Sequence, residues 1–163
     1  KGAFYHYFAG KQELFEATVD WLMRTLEGSL QLEPRPDRTF REYFYDSMVQ
    51  QDQRLVEMVR RTGCKDLWVN YYKFIFNAVE YYPGYLERVQ VVTDREFENW
   101  RDAIRQAQER SEIRADISAS LIARHISVML DGIGIQELFR GRPDLLHDWA
   151  EEIFEQFYGL ILP

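Results

Sequence analysis

The feature of this sequence that most constrains its fold is an apolar spacing of three and four residues that runs through nearly the whole chain. Such spacing is typical of amphipathic helices, because it places the apolar side chains along one side of the helix. Stretches with Pro or Gly interrupt it at "EPRPDR", at Gly63, at "PG" (83–84) and at "GRPD", and "SEIRADIS" forms a further short connector. No segment alternates apolar and polar residues as a half-buried strand would. The chain is therefore predicted to be all-α.

These interruptions predict six helices. The first follows Gly10, with Glu13 placed where a carboxylate meets the free N–H groups of the first turn. The second is expected to be capped by Asp37 and to end at Gly63, a residue that favours the left-handed conformation after a helix. The other four are predicted at about 66–82, 83–110, 118–140 and 145–162, with Pro83 in the first turn of its helix.

Length, charge and cysteine content limit the class of protein. A chain of 163 residues suits one domain with a sizeable core. Its 27 acidic and 20 basic side chains give a net charge of −7, which argues against nucleic-acid binding by the chain as a whole. Cys64 stands alone, which excludes an internal disulfide and fits a reducing cytoplasm. No secretory signal and no apolar run of about 18 residues is visible, so a cytoplasmic protein without membrane contact is expected.

The opening, "KGAFYHYFAGKQELFEA", is aromatic and basic and contains no acid before Glu13. It resembles the end of the helix-turn-helix of TetR/AcrR-family transcriptional regulators. The residues that carry the resemblance are Gly2, Ala3, Phe4, Tyr5, His6, Tyr7, Phe8, Lys11, Glu13, Leu14 and Phe15. A weaker resemblance covers "SEIRADISASLIARHISVMLDGIGIQELF", which is similar to the stretch before and along the penultimate helix of that family. Gly10 departs from the pattern, since the family often has Ser there.

The resemblance implies a TetR-like helical bundle. Residues 1–30 would be the end of the DNA-binding domain, comprising the remnant of the recognition helix and the connecting helix, and residues 31–163 would form a ligand-binding and dimerisation domain. It also implies that the first helices of the DNA-binding head precede Lys1. The first residues of the chain would contact base edges of the DNA, and the residues after them would contact phosphates. The expected DNA-contacting residues are Lys1, Gly2, Ala3, Tyr5, His6 and Lys11.

In this family the middle helices enclose a small-molecule cavity, and the sequence offers a candidate lining. Aromatic and Met side chains with a few isolated polar groups are typical of ligand sites. The expected lining residues are Met48, Gln51, Leu55, Met58, Trp68, Tyr71, Tyr72, Thr93, Phe97, Trp100, His125 and Met129. Plain core packing is the alternative for each of them. A flat or apolar, mostly neutral effector is expected, because no cluster of Arg or Lys is predicted to face inward.

The last two predicted helices are apolar on more than one face. In the family they form a four-helix bundle with a second copy across a two-fold axis. The expected interface residues are Ile122, Ile126, Leu130, Ile133, Trp149, Ile153 and Phe157. Gly132 and Gly134 would weaken the helix, so a close helix contact or a local kink is expected at these positions.

The function that follows from the resemblance is a ligand-responsive transcriptional regulator. It would be a repressor that binds operator DNA as a homodimer and is released when a small molecule fills the helical core. A helical protein-interaction module without DNA contact is the alternative. No catalytic residues, metal site or cofactor are expected, because recognisable motifs are absent and the carboxylates are predicted on polar helix faces. A redox-sensing Cys64 is possible on sequence grounds, with a structural cysteine as the simpler interpretation.

Overall fold

A computed structural model of the chain describes residues 7–27, 32–63, 67–140 and 146–163. All regular secondary structure within these ranges is helical, which confirms the all-α prediction. The helices are α1 (Lys11–Glu27), α2 (Phe40–Thr62), α3 (Leu67–Tyr81), α4 (Tyr85–Glu109), α5 (Ala119–Arg140) and α6 (Leu146–Ile161). Within the described ranges, no helix combines the length and the apolar character needed to cross a bilayer.

The ends of α2 are set by local hydrogen bonds. Thr39 caps the helix: its hydroxyl accepts a hydrogen bond from the Glu42 amide at 3.1 Å, and its own amide donates to the Glu42 carboxylate at 2.8 Å. This reciprocal pair forms a capping box and starts the helix two residues later than a cap at Asp37 would. The prediction of Asp37 as the cap was therefore wrong. Gly63 ends the helix with φ of 65°, as predicted.

The starts of α1 and α4 both follow glycine. α1 begins directly after Gly10, and the Glu13 carboxylate accepts a hydrogen bond from the amide of Ala9, which precedes the helix and is not one of the first-turn N–H groups that had been expected. Gly84 adopts φ of 80° and is the residue before α4. Pro83 consequently lies in the turn before α4 and not in the first turn of the helix, as had been predicted.

Helix α4 lies at the centre of the fold and contacts α1, α2, α3 and α5, while α6 packs on α5. The larger core cluster joins α2, α4, α5 and α6, and its aromatic centre includes Phe40, Phe44, Trp100 and Phe154. The rings of Phe44 and Phe154 stack with centroids 3.6 Å apart. This cluster holds the two C-terminal helices against the middle of the chain.

A smaller core cluster joins α1 to α3 and α4 through Val19, Met23, Ala78, Tyr85 and Val92. All five side chains are nearly or fully buried. The burial of these apolar side chains is the main source of stability in the contact of α1 with α3 and α4. α1 therefore packs as an integral part of the bundle that α3 and α4 form.

Polar contacts reinforce the position of α1. The Asp20 carboxylate accepts hydrogen bonds from the Tyr82 hydroxyl at 3.0 Å and from the Arg88 guanidinium. The bond from Arg88 is the main reason why the pKa of Asp20 is held below its usual value. Arg88 also approaches Glu27, near the end of α1, at 3.5 Å. One arginine of α4 thus holds two carboxylates of α1.

Candidate ligand-binding cavity

A cavity of about 650 Å³ lies between α2, α3, α4 and α5. This volume is within the range of pockets that bind drug-sized molecules. α4 contributes the longest run of lining residues, from Tyr85 to Trp100, because its central position exposes one side of it to the other three helices. Thr25 of α1 and Leu32 of the α1–α2 connection also reach the lining.

Most of the residues that the sequence suggested for the lining do lie there. The structure places the side chains of Met48, Gln51, Met58, Tyr71, Tyr72, Thr93, Phe97 and Trp100 on the cavity wall. The side chains of Leu55 and Trp68 fall outside the described part of the structure. The cavity thus brings together α2, α3 and α4, the three consecutive helices whose aromatic and Met residues led to the prediction of a ligand site. That these residues bind a ligand stays a prediction.

His125 and Met129 are not on the wall, and their expected place there was wrong. His125 is exposed, its ring Nδ1 lies 2.8 Å from the Leu121 carbonyl oxygen, and its ring stacks on Phe157 of α6. Met129 packs against the larger core cluster. α5 turns a different stripe toward the cavity, consisting of Arg124, Ser127, Val128, Leu130, Asp131 and Gly134. The helix is thus rotated relative to the predicted orientation.

Aromatic rings form much of the wall. Tyr43 and Trp100 meet edge to face with centroids 5.2 Å apart, and Tyr71 and Tyr72 do the same at 5.6 Å. Burial raises the pKa of Tyr43 and of Tyr71, so both hydroxyls stay protonated. α5 comes close to this wall at Gly134, where a Cβ atom would lie 3.1 Å from the Tyr72 hydroxyl. Rings of this kind offer flat apolar surface together with a few hydroxyl groups.

Two carboxylates also line the cavity, Glu96 from α4 and Asp131 from α5. Both side chains are solvent-exposed, as the prediction of solvated carboxylates requires, but their exposed surface lies at the open cavity. The two residues stand on neighbouring helices, α4 and α5, at the same cavity. Burial raises the pKa of both groups, and the nearby Asp131 charge raises that of Glu96 further. A hydrogen bond from Trp100 opposes the shift of Glu96.

A sequence signal for these carboxylates existed. Glu96 lies four residues after Val92 and four before Trp100, on the same stripe of α4 that carries the buried apolar residues. Asp131 lies four residues after Ser127 and three before Gly134 on the cavity stripe of α5. A charged residue at helical spacing within an apolar stripe indicates an inward-facing charge.

Two arginines share the wall with these carboxylates, although no inward basic group was expected. The Arg54 guanidinium donates to the side-chain carbonyl of Gln50, and burial lowers its pKa. The Arg124 guanidinium lies over the Phe97 ring, 5.0 Å from its centroid. Neither arginine forms an ion pair with Glu96 or Asp131, although all four side chains belong to the described part of the chain.

One further polar group of the cavity wall, the hydroxyl of Tyr85, was not predicted from the sequence. Tyr85 is almost fully buried, lines the cavity and has a hydroxyl with no hydrogen-bond partner among the described residues. A buried hydroxyl without a partner costs about 1–3 kcal/mol. A ligand that hydrogen-bonds to Tyr85 would remove that cost.

The expected DNA-contacting residues are only partly described. Lys1, Gly2, Ala3, Tyr5 and His6 lie outside the described residues, and so does Cys64. Lys11 is exposed and is the first residue of α1. The N-terminus of a helix, where Lys11 stands, is a place where anions are favoured.

The expected dimer interface requires a correction. Ile122, Ile126 and Ile133 are buried within the core of a single chain, so a second copy cannot reach them. Leu130, Ile153 and Phe157 are partly buried against the same cluster, and Trp149 is 39% exposed. The exposed apolar side chains of α5 and α6 that do not line the cavity are instead Leu121, Ile135, Phe139, Trp149 and Leu160. The residues that the sequence assigned to the dimer interface are therefore largely packed inside a single chain.

Within the described residues, no group of three or more His, Cys, Asp or Glu side chains is placed to hold a metal ion. Comparison of the chain with protein-family models, with curated proteins and with solved structures gave no match.

Proposed function

We propose that this chain is the regulatory part of a ligand-responsive transcriptional regulator. In this proposal the protein is a repressor that binds operator DNA as a homodimer. A small molecule with apolar or aromatic parts fills the cavity between α2 and α5 and releases the DNA. The observation that carries the proposal is the cavity itself, because its volume and aromatic wall suit an organic molecule.

The position of α4 supports a link between the cavity and α1. Val89, Val92 and Thr93 of α4 line the cavity. Arg88, next to Val89 on α4, holds Asp20 of α1. Val92 also belongs to the core cluster that contacts Val19 and Met23 of α1. A ligand that displaces this part of α4 would therefore displace α1, provided that it binds the two arrangements with different affinity.

The beginning of the chain supports the DNA-binding part of the proposal. α1 continues from the aromatic, basic stretch that resembles the end of a helix-turn-helix, and Lys11 is exposed at the junction. A lysine at a helix N-terminus suits a DNA phosphate. The acidic remainder of the chain would limit non-specific attraction to DNA.

The proposal is tested by selecting DNA from a random pool with the protein as its gene encodes it. Fluorescence anisotropy then measures the affinity for the selected sequence at several salt concentrations. Lys11→Ala is expected to weaken binding by up to about tenfold and to reduce the slope of log K against log salt by about 1, because one phosphate contact is lost. Lys73→Ala, which removes an exposed lysine of α3, is the matched control and should change neither quantity.

Selection of no DNA sequence by the protein would contradict the proposal and favour the helical protein-interaction module. Equal effects of Lys11→Ala and Lys73→Ala would mean that the loss reflects overall charge and not a specific contact.

A further inference from the structure

The charged side chains around the cavity neutralise one another only in part, since the charge of Arg54 acts on Glu96 but leaves its pKa raised. Glu96, Asp131 and Asp94 are acidic, and Arg54 and Arg124 are basic, so the wall carries one excess negative charge when all five are ionised. Glu96 and Asp131 have no ion-pair partner among the described residues. They also repel each other, since the charge of Asp131 raises the pKa of Glu96. Carboxylates whose charge is only partly compensated attract a further positive charge.

The two arginines make their direct contacts with other groups, although the charge of Arg54 also lowers the pKa of Glu96. The Arg54 guanidinium is hydrogen-bonded to Gln50 of its own helix, and that of Arg124 rests on the Phe97 ring. An anionic ligand would have to recruit one of them while lying near two carboxylates. A neutral ligand would leave the repulsion between Glu96 and Asp131 in place. A cation relieves that repulsion, so the electrostatics of the wall favour it.

The remainder of the wall suits the organic part of such a cation. Tyr71, Tyr72, Phe97 and Trp100 supply ring faces and edges, and organic cations bind aromatic faces through the negative potential of the ring. The hydroxyl of Tyr85 is an independent sign of a missing partner, because it is buried at the wall without a hydrogen bond to any described residue. It can accept a hydrogen bond from an ammonium or amidinium group, or donate one to a ligand acceptor.

We propose that the cavity binds a lipophilic organic cation, with its positive charge between Glu96 and Asp131 and its apolar part against the aromatic wall. This inference rests on the proposed function, because it names the chemical class of the effector. It replaces the mostly neutral effector that the sequence suggested, and the reason is the inward orientation of two carboxylates.

The experiment compares three probes of similar shape by isothermal titration calorimetry. Tetraphenylphosphonium is the cation, triphenylphosphine oxide the neutral probe and tetraphenylborate the anion. The cation is expected to bind at least about tenfold more tightly than the other two, because it alone gains attraction from the carboxylates and the rings. Equal or tighter binding of the neutral or anionic probe would overturn the inference.

Charge-removing variants locate the site. Glu96→Gln and Asp131→Asn are each expected to weaken binding of the cation by about five- to tenfold and to leave the neutral probe unchanged. The double variant should bind cation and neutral probe alike. Glu109→Gln removes an exposed carboxylate from the same helix α4, outside the cavity, and should have no effect. Circular dichroism and thermal melting verify that every variant is folded.

The outcomes separate the two proposals. If none of the three probes binds, the effector cavity and the proposed function that depends on it are contradicted. If the neutral or anionic probe binds and the cation does not, only the assignment of the charge class fails. If the cation binds but Glu96→Gln and Asp131→Asn leave its affinity unchanged, the carboxylates are not its partners and the inference is wrong.

Discussion

At Glu96 a carboxylate lies within a stripe of α4 that otherwise packs apolar side chains, and this residue has the clearest energetic consequence in the molecule. Burial and the Asp131 charge raise its pKa, so the folded chain holds a proton more strongly there than the unfolded chain does. The groups that face the cavity with it are Tyr43 and Arg54 of α2, Tyr71 and Tyr72 of α3, Tyr85, Asp94 and Trp100 of α4, and Arg124 and Asp131 of α5.

The sign of the resulting pH dependence follows from proton linkage. A carboxyl group whose pKa is raised by folding favours the folded state below its unfolded pKa, about 4.3 for Glu, and disfavours it increasingly as the pH rises through the folded pKa. Glu96→Gln is therefore expected to raise the free energy of unfolding relative to the original chain at pH 7, and the gain should shrink as the pH approaches about 4. Urea denaturation at several pH values measures it.

Glu57→Gln is the control with the opposite sign. Hydrogen bonds from Arg60 and Arg61 lower the pKa of the exposed Glu57 to about 2. Loss of the Glu57 carboxylate should slightly lower the free energy of unfolding at pH 7. The difference between the variant and the original chain should shrink as the pH falls toward 2. A Glu96→Gln variant that loses stability at pH 7 would mean that Glu96 makes a favourable contact which outweighs its burial.

At the scale of one element, α5 contains two glycines with different surroundings. A Cβ atom on Gly134 would lie 3.1 Å from the Tyr72 hydroxyl, whereas one on Gly132 would have no neighbour within 4 Å. Gly134 thus permits the close approach of α5 to α3 beside the cavity. Neither glycine has a positive φ, so conformational freedom is not the reason for either.

These surroundings predict different outcomes for two identical substitutions. Gly132→Ala is expected to raise the free energy of unfolding by about 0.5–1 kcal/mol, because alanine is the better helix former. Gly134→Ala should give a smaller gain or a loss, since the new methyl group presses on Tyr72. Urea denaturation measures both, and adding Tyr72→Phe to Gly134→Ala should restore the gain. Equal gains for the two single variants would contradict the close approach.

At the scale of the whole molecule, α5 is apolar on both of its sides. Its buried stripe serves the core of one chain, and away from the cavity it exposes Ile135 and Phe139, the last with 83% of its surface accessible. α6 adds Trp149 and Leu160 to the exposed apolar surface. Apolar residues on the outer side of two neighbouring helices support the homodimer in the proposed function.

Phe139→Glu tests that homodimer without disturbing the core, because the side chain is exposed. Sedimentation velocity at micromolar concentration is expected to give a dimer for the original chain and a monomer for this variant, since a charge would be buried at the interface. Phe76→Glu is the matched control on α3, where 69% of the side chain is accessible, and should remain dimeric. A monomeric original chain would contradict the homodimer.

The faces of the helices were predictable only where one stripe is clearly more apolar than the rest. On α3 the polar residues Asn70, Lys73, Asn77 and Glu80 follow helical spacing, and the structure exposes all four. On α1 the three-and-four spacing runs through Leu14, Thr18, Trp21, Leu22 and Thr25, and of these the structure buries Leu22, while Val19 and Met23 beside that stripe are fully buried. Thr18 satisfies its hydroxyl locally, on the Leu14 carbonyl at 2.8 Å, and so needs no partner on another helix.

The candidate cavity was predictable in its aromatic and Met components and not in its charges. Residues such as Met48, Tyr71 and Phe97 stand on apolar stripes, which led to their selection. Glu96 and Asp131 were assigned to solvated faces because charged residues are mostly exposed. His125 was selected because it stood on an apolar face, but that face meets Phe157 of α6 and not the cavity.

The sequence by itself determined the helices and their order, because a helix depends on spacing, capping and interruption within one stretch of chain. Gly63 and the capping box at Thr39 are local signals of that kind. Only the tertiary structure decided which side of each helix faces the cavity, since that depends on how neighbouring helices rotate as they pack. A rotation of α5 by about one residue moves His125 out and Asp131 in, and with it changes the charge that the cavity presents.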